Sequence, residues 1–294
     1  MSEQEKQAIG ILGLGIIGMG IARKLRADGR EVYVWNRTPK TEPNALGSPA
    51  EVARHAQVVQ VFVRDGVALS EVVADMVPVL SPNHIVLAHA TVAPDEMRAA
   101  ADAVAATGAA FLDCPFTGSK DAAAAGKVNY YVGGDEAVLE RVRPVLEASS
   151  NSITHLGDIG AATVFKIATN MISATTVVIL AEALAVAQRG GVELDKMEQA
   201  LAVNACSSGL VNMKLPSMLA GDYDPHFSLK NMFKDAQYGL GLGKGLGIEL
   251  PALSTTANLM FRSMQKGKGD LDFSVLASRY QDSGETDTSD TPDE

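Results

Sequence analysis

Residues 10–25 of this 294-residue chain read GILGLGIIGMGIARKL. An apolar run, a cluster of glycines and an amphipathic helical period follow one another without a break. The arrangement that suits all three is a buried strand, a tight turn and a helix that starts at once. Gly13, Gly15 and Gly18 fall in the G-x-G-x-x-G spacing. Gly13 suits the turn, Gly15 lets the backbone come close to a pyrophosphate, and Gly18 allows the helix to pack closely. The helix start offers unpaired N–H groups and a positive dipole end to phosphate oxygens. Glycines also serve ordinary turns; the placement between strand and helix is what favours dinucleotide binding here.

The alternation continues beyond this stretch. AIGIL, EVYVW, VVQVFV, HIVLA, AFLDCPF and NYYVG read as strands, and helical periods such as 18–28 and 95–107 lie between several of them. This predicts an α/β domain, a Rossmann-type doubly wound parallel sheet, over residues 1–160. From GDIGAATVFK onward long helical periods take over, broken by SSG, AGDYDPHF and GLGIELP. Residues 161–280 are therefore expected to form an all-helical domain, opening with a long helix over about 161–189 that joins the halves. The most membrane-like stretch, 167–187, contains Asn170 and Glu182 and is flanked by Lys166 and Arg189. A helix buried between protein layers accounts for it. The final segment, 281–294, is acidic and polar and is expected to be a disordered tail.

With 25 Lys and Arg against 35 Asp and Glu, the net charge of -10 speaks against a nucleic-acid or anionic-membrane footprint. The two cysteines, Cys114 and Cys206, lack metal-ligand spacing, so neither a zinc site nor a disulfide framework is expected. That usage, and a polar MSEQEKQ start without an apolar leader, lead us to expect a cytoplasmic protein.

Three further stretches bear chemistry. The second strand ends in VYVWNRTPK, about 20 residues past the glycine loop, where an NAD site places a carboxylate on the ribose. Asn36, Arg37 and Thr38 stand there instead. Arg37 can pair with a 2′-phosphate, and Asn36 and Thr38 can hydrogen-bond it, although a solvated loop arginine would look the same in sequence. The strand AFLDCPF runs into TGSKDAAAAGK, and Thr117, Gly118 and Ser119 can hold a carboxylate by hydroxyl and amide donors. Taken alone, this stretch is also what a capped helix start looks like. In FKIATN, Lys166 and Asn170 are four residues apart and share a helix face in the least polar helix of the chain. Burial there lowers a lysine's pKa toward a value useful for proton transfer, while a lysine snorkelling to the surface is the competing reading.

These motifs resemble the β-hydroxyacid dehydrogenase family, and within it the glyoxylate and succinic semialdehyde reductases. The family's GLGxMGxxxA is similar to GLGIIGMGIA, with Ile17 at the Met position. D-x-P-V-S-G resembles DCPFTG, with Phe116 for Val and Thr117 for Ser, and the following GSK matches the semialdehyde-reductase branch. GxxGxxxxxKxxxN is GDIGAATVFKIATN, FSLKNMFKDA resembles the late family segment, and GKGDLDFS the C-terminal one. In AHATVAP, Thr91 is retained while Ala90 lacks the usual serine hydroxyl. The resemblance implies Lys166 as catalytic lysine, Asn170 as the residue orienting it and the substrate, and Thr117 to Ser119 as the carboxylate site. The cofactor contacts are expected at Gly13, Leu14, Gly15, Ile16, Ile17, Asn36, Arg37, Thr38, Val63, Arg64, Thr91 and Lys234, and Arg37 in place of the usual carboxylate predicts NADPH over NADH. The resemblance further implies no metal, a small carboxylate substrate, and a homodimer or homotetramer built through the helical domain. Two other readings stand beside it: an imine reductase on the same fold, disfavoured by Lys166, and a catalytically silent NADP-binding protein.

Overall fold

The computed structural model describes residues 7–281. The chain divides into two compact units between Ile167 and Ala168.

In the first unit five short strands, β1 (Ile9–Leu12), β2 (Val32–Trp35), β3 (Val58–Val61), β4 (Ile85–Ala88) and β5 (Ala110–Asp113), form a parallel sheet in the order β2-β1-β3-β4-β5. β1, β3 and β4 are buried at every position, as a sheet covered on both faces requires. Helix α1 (Ile16–Ala27) and helix α6 (Glu136–Glu147) bring Ile21, Leu25, Leu139 and Val142 to one apolar layer. Helices α2 (Pro49–His55), α3 (Gly66–Met76) and α4 (Pro94–Ala105) bring Val52, Leu69, Val73 and Met97 to the other. β2 lies on one side of β1 and β3 on the other. The strand order therefore reverses between the carboxyl ends of β1 and β3, the position where open α/β sheets bind ligands.

Two differences from the sequence reading concern AFLDCPF and the segment after it. AFLDCPF is not one strand: it breaks after Asp113 at Cys114-Pro115 and resumes as β6 (Phe116–Thr117). Pro115 has no N–H to give to a ladder, so the chain bends there. β6 then pairs antiparallel with β7 (Val128–Val132), which pairs parallel with β8 (Ser150–His155). The strands are thus not all parallel, and β8, SNSITH, is a strand without apolar alternation. Between β6 and β7, the short helix α5 (Lys120–Ala124) packs against α1: a Cβ placed on Gly20 would stand 3.2 Å from that of Ala123.

Among the described residues the second unit contains helices only, apart from one isolated bridge between Ser228 and Asp272. Most of α7 (Ala161–Arg189) belongs to it, followed by α8 (Leu194–Ala202), α9 (Gly209–Ala220), α10 (Leu229–Leu246), α11 (Pro251–Gln265) and α12 (Ser278–Gln281). Val177, Leu180 and Leu184 of α7 join Leu215, Met232, Met260 and Phe273 in one core. By length and composition α7 could cross a bilayer, yet only 39% of its most apolar window is buried. The expected burial on both sides is not seen. One face packs in the core, while Phe165, Ile172, Ile179 and Val186, each seven residues apart, stay exposed. Residues 282–294, most of the expected acidic tail, lie outside the described residues, and Gln281 ends α12.

Candidate active site

The glycine loop divides its labour in space as the spacing suggests. A Cβ on Gly13, whose φ is +97°, would stand 2.0 Å from the Phe62 carbonyl oxygen, and one on Gly18 2.0 Å from that of Gly13. Both glycines are filled in by the chain itself. A Cβ on Gly15 would meet nothing within 4 Å, so the space in front of it is open. Gly15 is also the N-cap of α1, with no side chain capping the helix and no acidic residue in its first turn. The N–H groups of Ile16 and Ile17 therefore begin a helix whose end is left for an anion.

Beside this end lies a cavity of about 510 Å³, lined among others by Gly15, Trp35, Arg37, Thr38, Val63 and Arg64. Arg37 is exposed at its rim, and Arg64 pairs with Asp65 at 2.9 Å. Asn36 lines the cavity too, but its amide is already engaged. Its Oδ1 accepts from the Leu14 N–H at 2.8 Å and its Nδ2 donates to the Thr38 carbonyl at 2.6 Å. Lys40 donates to the Leu14 carbonyl at 2.7 Å. Asn36 and Lys40 thus clamp the glycine loop to the turn after β2, a holding role that sequence spacing did not reveal. The cavity has Trp35 and Phe62 in its lining and reaches the open helix end at Gly15, with Arg37 as a cation there beside the Arg64–Asp65 pair and the carboxylates Glu71 and Asp75.

Beneath the sheet's carboxyl edge, His89 is fully enclosed, stacked on Phe62 with centroids 4.3 Å apart. Burial pushes its pKa down to about 3, against the opposing pull of the Cys114 carbonyl, so the ring is neutral. A neutral imidazole has one N–H, and Nδ1, 2.6 Å from the Cys114 carbonyl, must use it. Nε2 is then an acceptor facing the Gln60 amide at 3.0 Å. We assign that amide with Nε2 toward the ring, because the opposite orientation leaves a buried Gln60 Nε2 without a partner. The contact joins β3, His89 and the Cys114-Pro115 bend from which the candidate substrate loop departs. Thr91, two residues beyond His89, is half-buried and does not line the cavity.

In that loop Thr117 pairs with Asn129 in the β6–β7 ladder, and Gly118 has φ +155°, a conformation that favours glycine. Ser119 is the N-cap of α5, its hydroxyl accepting from the Ala122 N–H at 3.2 Å. As an acceptor it caps the helix; its proton remains available to donate. Because α5 rests on α1, the loop is held relative to the glycine turn.

Lys166 sits in the second turn of α7 and is half-buried, still within the first unit. Asn170, one turn later, is in the second unit and buried, and its Nδ2 donates to Asp235 at 2.6 Å. Asp235 is paired in turn with Lys234 at 2.7 Å, and the Lys234 ammonium lies 4.8 Å from the Tyr238 ring centroid. Asp235 thus joins two expected site residues, Asn170 and Lys234. Among the described residues no group of three or more His, Cys, Asp or Glu can hold a metal ion.

Two family profiles match the chain: the NAD binding domain of 6-phosphogluconate dehydrogenase over residues 8–157, and the NAD-binding domain of NADP-dependent 3-hydroxyisobutyrate dehydrogenase over 160–280. The chain belongs to the β-hydroxyacid dehydrogenase family of NAD(P)-linked oxidoreductases. It is 28% identical to glyoxylate/succinic semialdehyde reductase 1 of Arabidopsis thaliana over 91% of this chain and 96% of that one. It is also 28% identical, over 91% of its length, to the cytokine-like nuclear factor N-PAC of Anopheles gambiae, but there it spans only 49% of the relative. The 3-hydroxyisobutyrate dehydrogenase of Mycobacterium tuberculosis, solved with L-serine, superposes with a TM-score of 0.85 at 25% identity, over 93% of this chain and 99% of that one.

Proposed function

We propose that this chain is an NADPH-dependent reductase of a short aldehyde or keto acid that carries a carboxylate, with glyoxylate and succinic semialdehyde as leading substrates. The reverse reaction oxidises the corresponding hydroxy acid. The observation that carries this reading is that the open glycine turn, the Arg37 cavity, the 117–119 loop and Lys166 all belong to one compact unit.

The bound reduced nicotinamide supplies a hydride to the carbonyl carbon. The chain supplies the rest. The open end of α1 holds the pyrophosphate, and Arg37 with Thr38 holds the 2′-phosphate. Thr117, the Gly118 N–H and the Ser119 hydroxyl hold the substrate carboxylate. The Lys166 ammonium stabilises the negative charge that builds on the carbonyl oxygen and gives it a proton, leaving a neutral amine to be recharged by solvent. Asn170, held by Asp235, has the role that the family resemblance gives it, orienting Lys166 and the substrate. Because Asn36 is committed to the glycine loop, the 2′-phosphate contact falls mainly on Arg37.

Steady-state rates over glyoxylate, succinic semialdehyde and uncharged butanal, with NADPH and NADH, test this reading. Carboxylate-bearing substrates should far exceed butanal, and Lys166→Ala should lower kcat by roughly 10² to 10⁴. No turnover with any carbonyl acid would leave a binding protein instead. Arg37→Asp should weaken NADPH by ~2 to 4 kcal/mol by removing a charge-assisted pair and adding repulsion. Equal efficiency with both cofactors in the unmodified protein would refute the cofactor preference.

For the assembly, α7 supports a homo-oligomer. Its exposed Phe165, Ile172, Ile179 and Val186 recur every seven residues and so form one apolar stripe along the helix, which a second copy of this chain can cover. We read the protein as a cytoplasmic homo-oligomer. Sedimentation velocity should show a dimer or tetramer that Ile172→Glu with Ile179→Glu converts to monomer.

A further inference from the structure

Asp113, at the carboxyl end of β5, is fully buried and has no cationic partner among the described residues. Its carboxylate accepts three hydrogen bonds, all from the start of α7. Oδ2 takes the N–H of Gly160 at 3.0 Å and that of Thr163 at 2.9 Å, and Oδ1 takes the Thr163 hydroxyl at 2.7 Å. The backbone of Asp113 is fixed as well, exchanging both hydrogen bonds with Gly133 at 3.0 and 2.7 Å. One residue therefore ties two paths together. Four residues onward from Asp113 the chain reaches Thr117, and three residues onward from Thr163 it reaches Lys166.

We propose that Asp113 is a positioning residue that sets the place of the Lys166 ammonium relative to the 117–119 loop by clamping the first turn of α7 onto the end of β5. This rests on the reading of Lys166 as proton donor. A neutral Asn or Ser would cap a helix at lower cost, because a buried carboxylate must be satisfied at both oxygens. The carboxylate brings bidentate rigidity: two oxygens hold both the backbone and the side chain of Thr163, so the turn bearing Lys166 can neither slide nor rotate. Displacing a reacting group by about 1 Å can cost about 10²-fold in rate.

The test is a double-substitution cycle on the full chain with glyoxylate and succinic semialdehyde as substrates. Cofactor affinity is read from the emission of Trp35, the only tryptophan, which lines the cofactor cavity. Asp113→Ala should lower kcat about 10- to 100-fold while the Kd for NADPH changes less than about twofold. In the Lys166→Ala background the same substitution should lower kcat no more than about threefold further, because Asp113 acts through Lys166. Additive losses, or an equal fall in cofactor affinity, would mean a general structural role and overturn the proposal. Lys166→Ala retaining more than about a tenth of kcat would instead overturn the reading of Lys166. Should Asp113→Ala fail to fold, Thr163→Val and Thr163→Ser decide. The first should lower kcat several-fold and the second restore it, with no difference between them once Lys166 is Ala; equal kcat for the two in the Lys166 protein refutes the clamp.

Discussion

Two of the buried carboxylates, Asp113 in the first unit and Asp272 in the second, sit in hubs of hydrogen bonds built on opposite principles. In the first unit Asp113 has no cation among the described residues and is satisfied by helix-terminal N–H groups and one hydroxyl. Burial pushes its pKa up, and the Thr163 bonds only partly oppose this. In the second unit burial would push Asp272 up too. There the Lys214 ammonium, at 2.7 and 2.9 Å from its two oxygens, together with the Phe227 and Ser274 N–H groups, outweighs burial and holds it below the usual range. The Lys214 ammonium also lies 4.5 Å from the Phe273 ring centroid. The Asp272 hub closes on itself and fastens the C-terminal segment to α9. The Asp113 hub is open-ended: it places a helix start next to the carboxyl ends of the strands, the position where open α/β sheets bind ligands. A charge neutralised in place serves stability, whereas one satisfied by oriented backbone dipoles serves position.

The contrast is broken most directly at Lys214. Lys214→Ala leaves Asp272 buried without its cation and should cost about 3 to 5 kcal/mol in denaturant unfolding. A loss below about 1 kcal/mol would show that the N–H donors suffice there too, as at Asp113. A second comparison lies inside the glycine loop. Gly18→Ala pushes a methyl onto the Gly13 carbonyl and should destabilise by about 1 to 3 kcal/mol. Gly15→Ala meets only open space, so its stability should change by less than about 0.5 kcal/mol while NADPH affinity, followed by Trp35 emission, falls at least tenfold. If both alanines merely destabilise, Gly15 faces no phosphate.

The remaining effect is in pH. His89 is lowered in the folded protein to about 3, so its stabilising contribution is present above its ordinary value near 6.5 and is lost as pH falls toward 3. Asp272, also lowered, keeps its contribution above about 3.8 and loses it below. Asp113, being raised, runs the other way: its contribution is full below about 3.8 and is lost as pH rises through its folded value. Between pH 6 and 4.5 unfolding free energy should therefore fall with a slope of up to about 1.4 kcal/mol per pH unit from His89. His89→Asn, compared by urea titration across that range, should flatten the slope; an unchanged slope would mean that the ring is not the group taking up the proton.

Several features were legible in the residues alone, because they rest on local physics. The strand, turn and helix around Gly13, Gly15 and Gly18 are readable from apolar period and glycine spacing, and so is the long helix from Ala161. The family follows from motifs that keep their spacing along the chain. What the sequence did not contain is what depends on which segments meet. Strand order, with β2 and β3 on opposite sides of β1, is a property of crossovers that no local pattern encodes. β8 has no apolar alternation and is a strand only because β7 lies beside it. Asn36, expected at a phosphate, also clamps the glycine loop, a contact hidden in the sequence because its partner Leu14 is 22 positions away. The apolar run of α7 announced a helix without telling how much of it the chain would cover. Asp113 and Thr163, 50 positions apart, are a carboxylate and a threonine until folding places a helix start against a strand end. Hydrogen bonds to buried charge are decided by three-dimensional proximity, and only the tertiary structure supplies that.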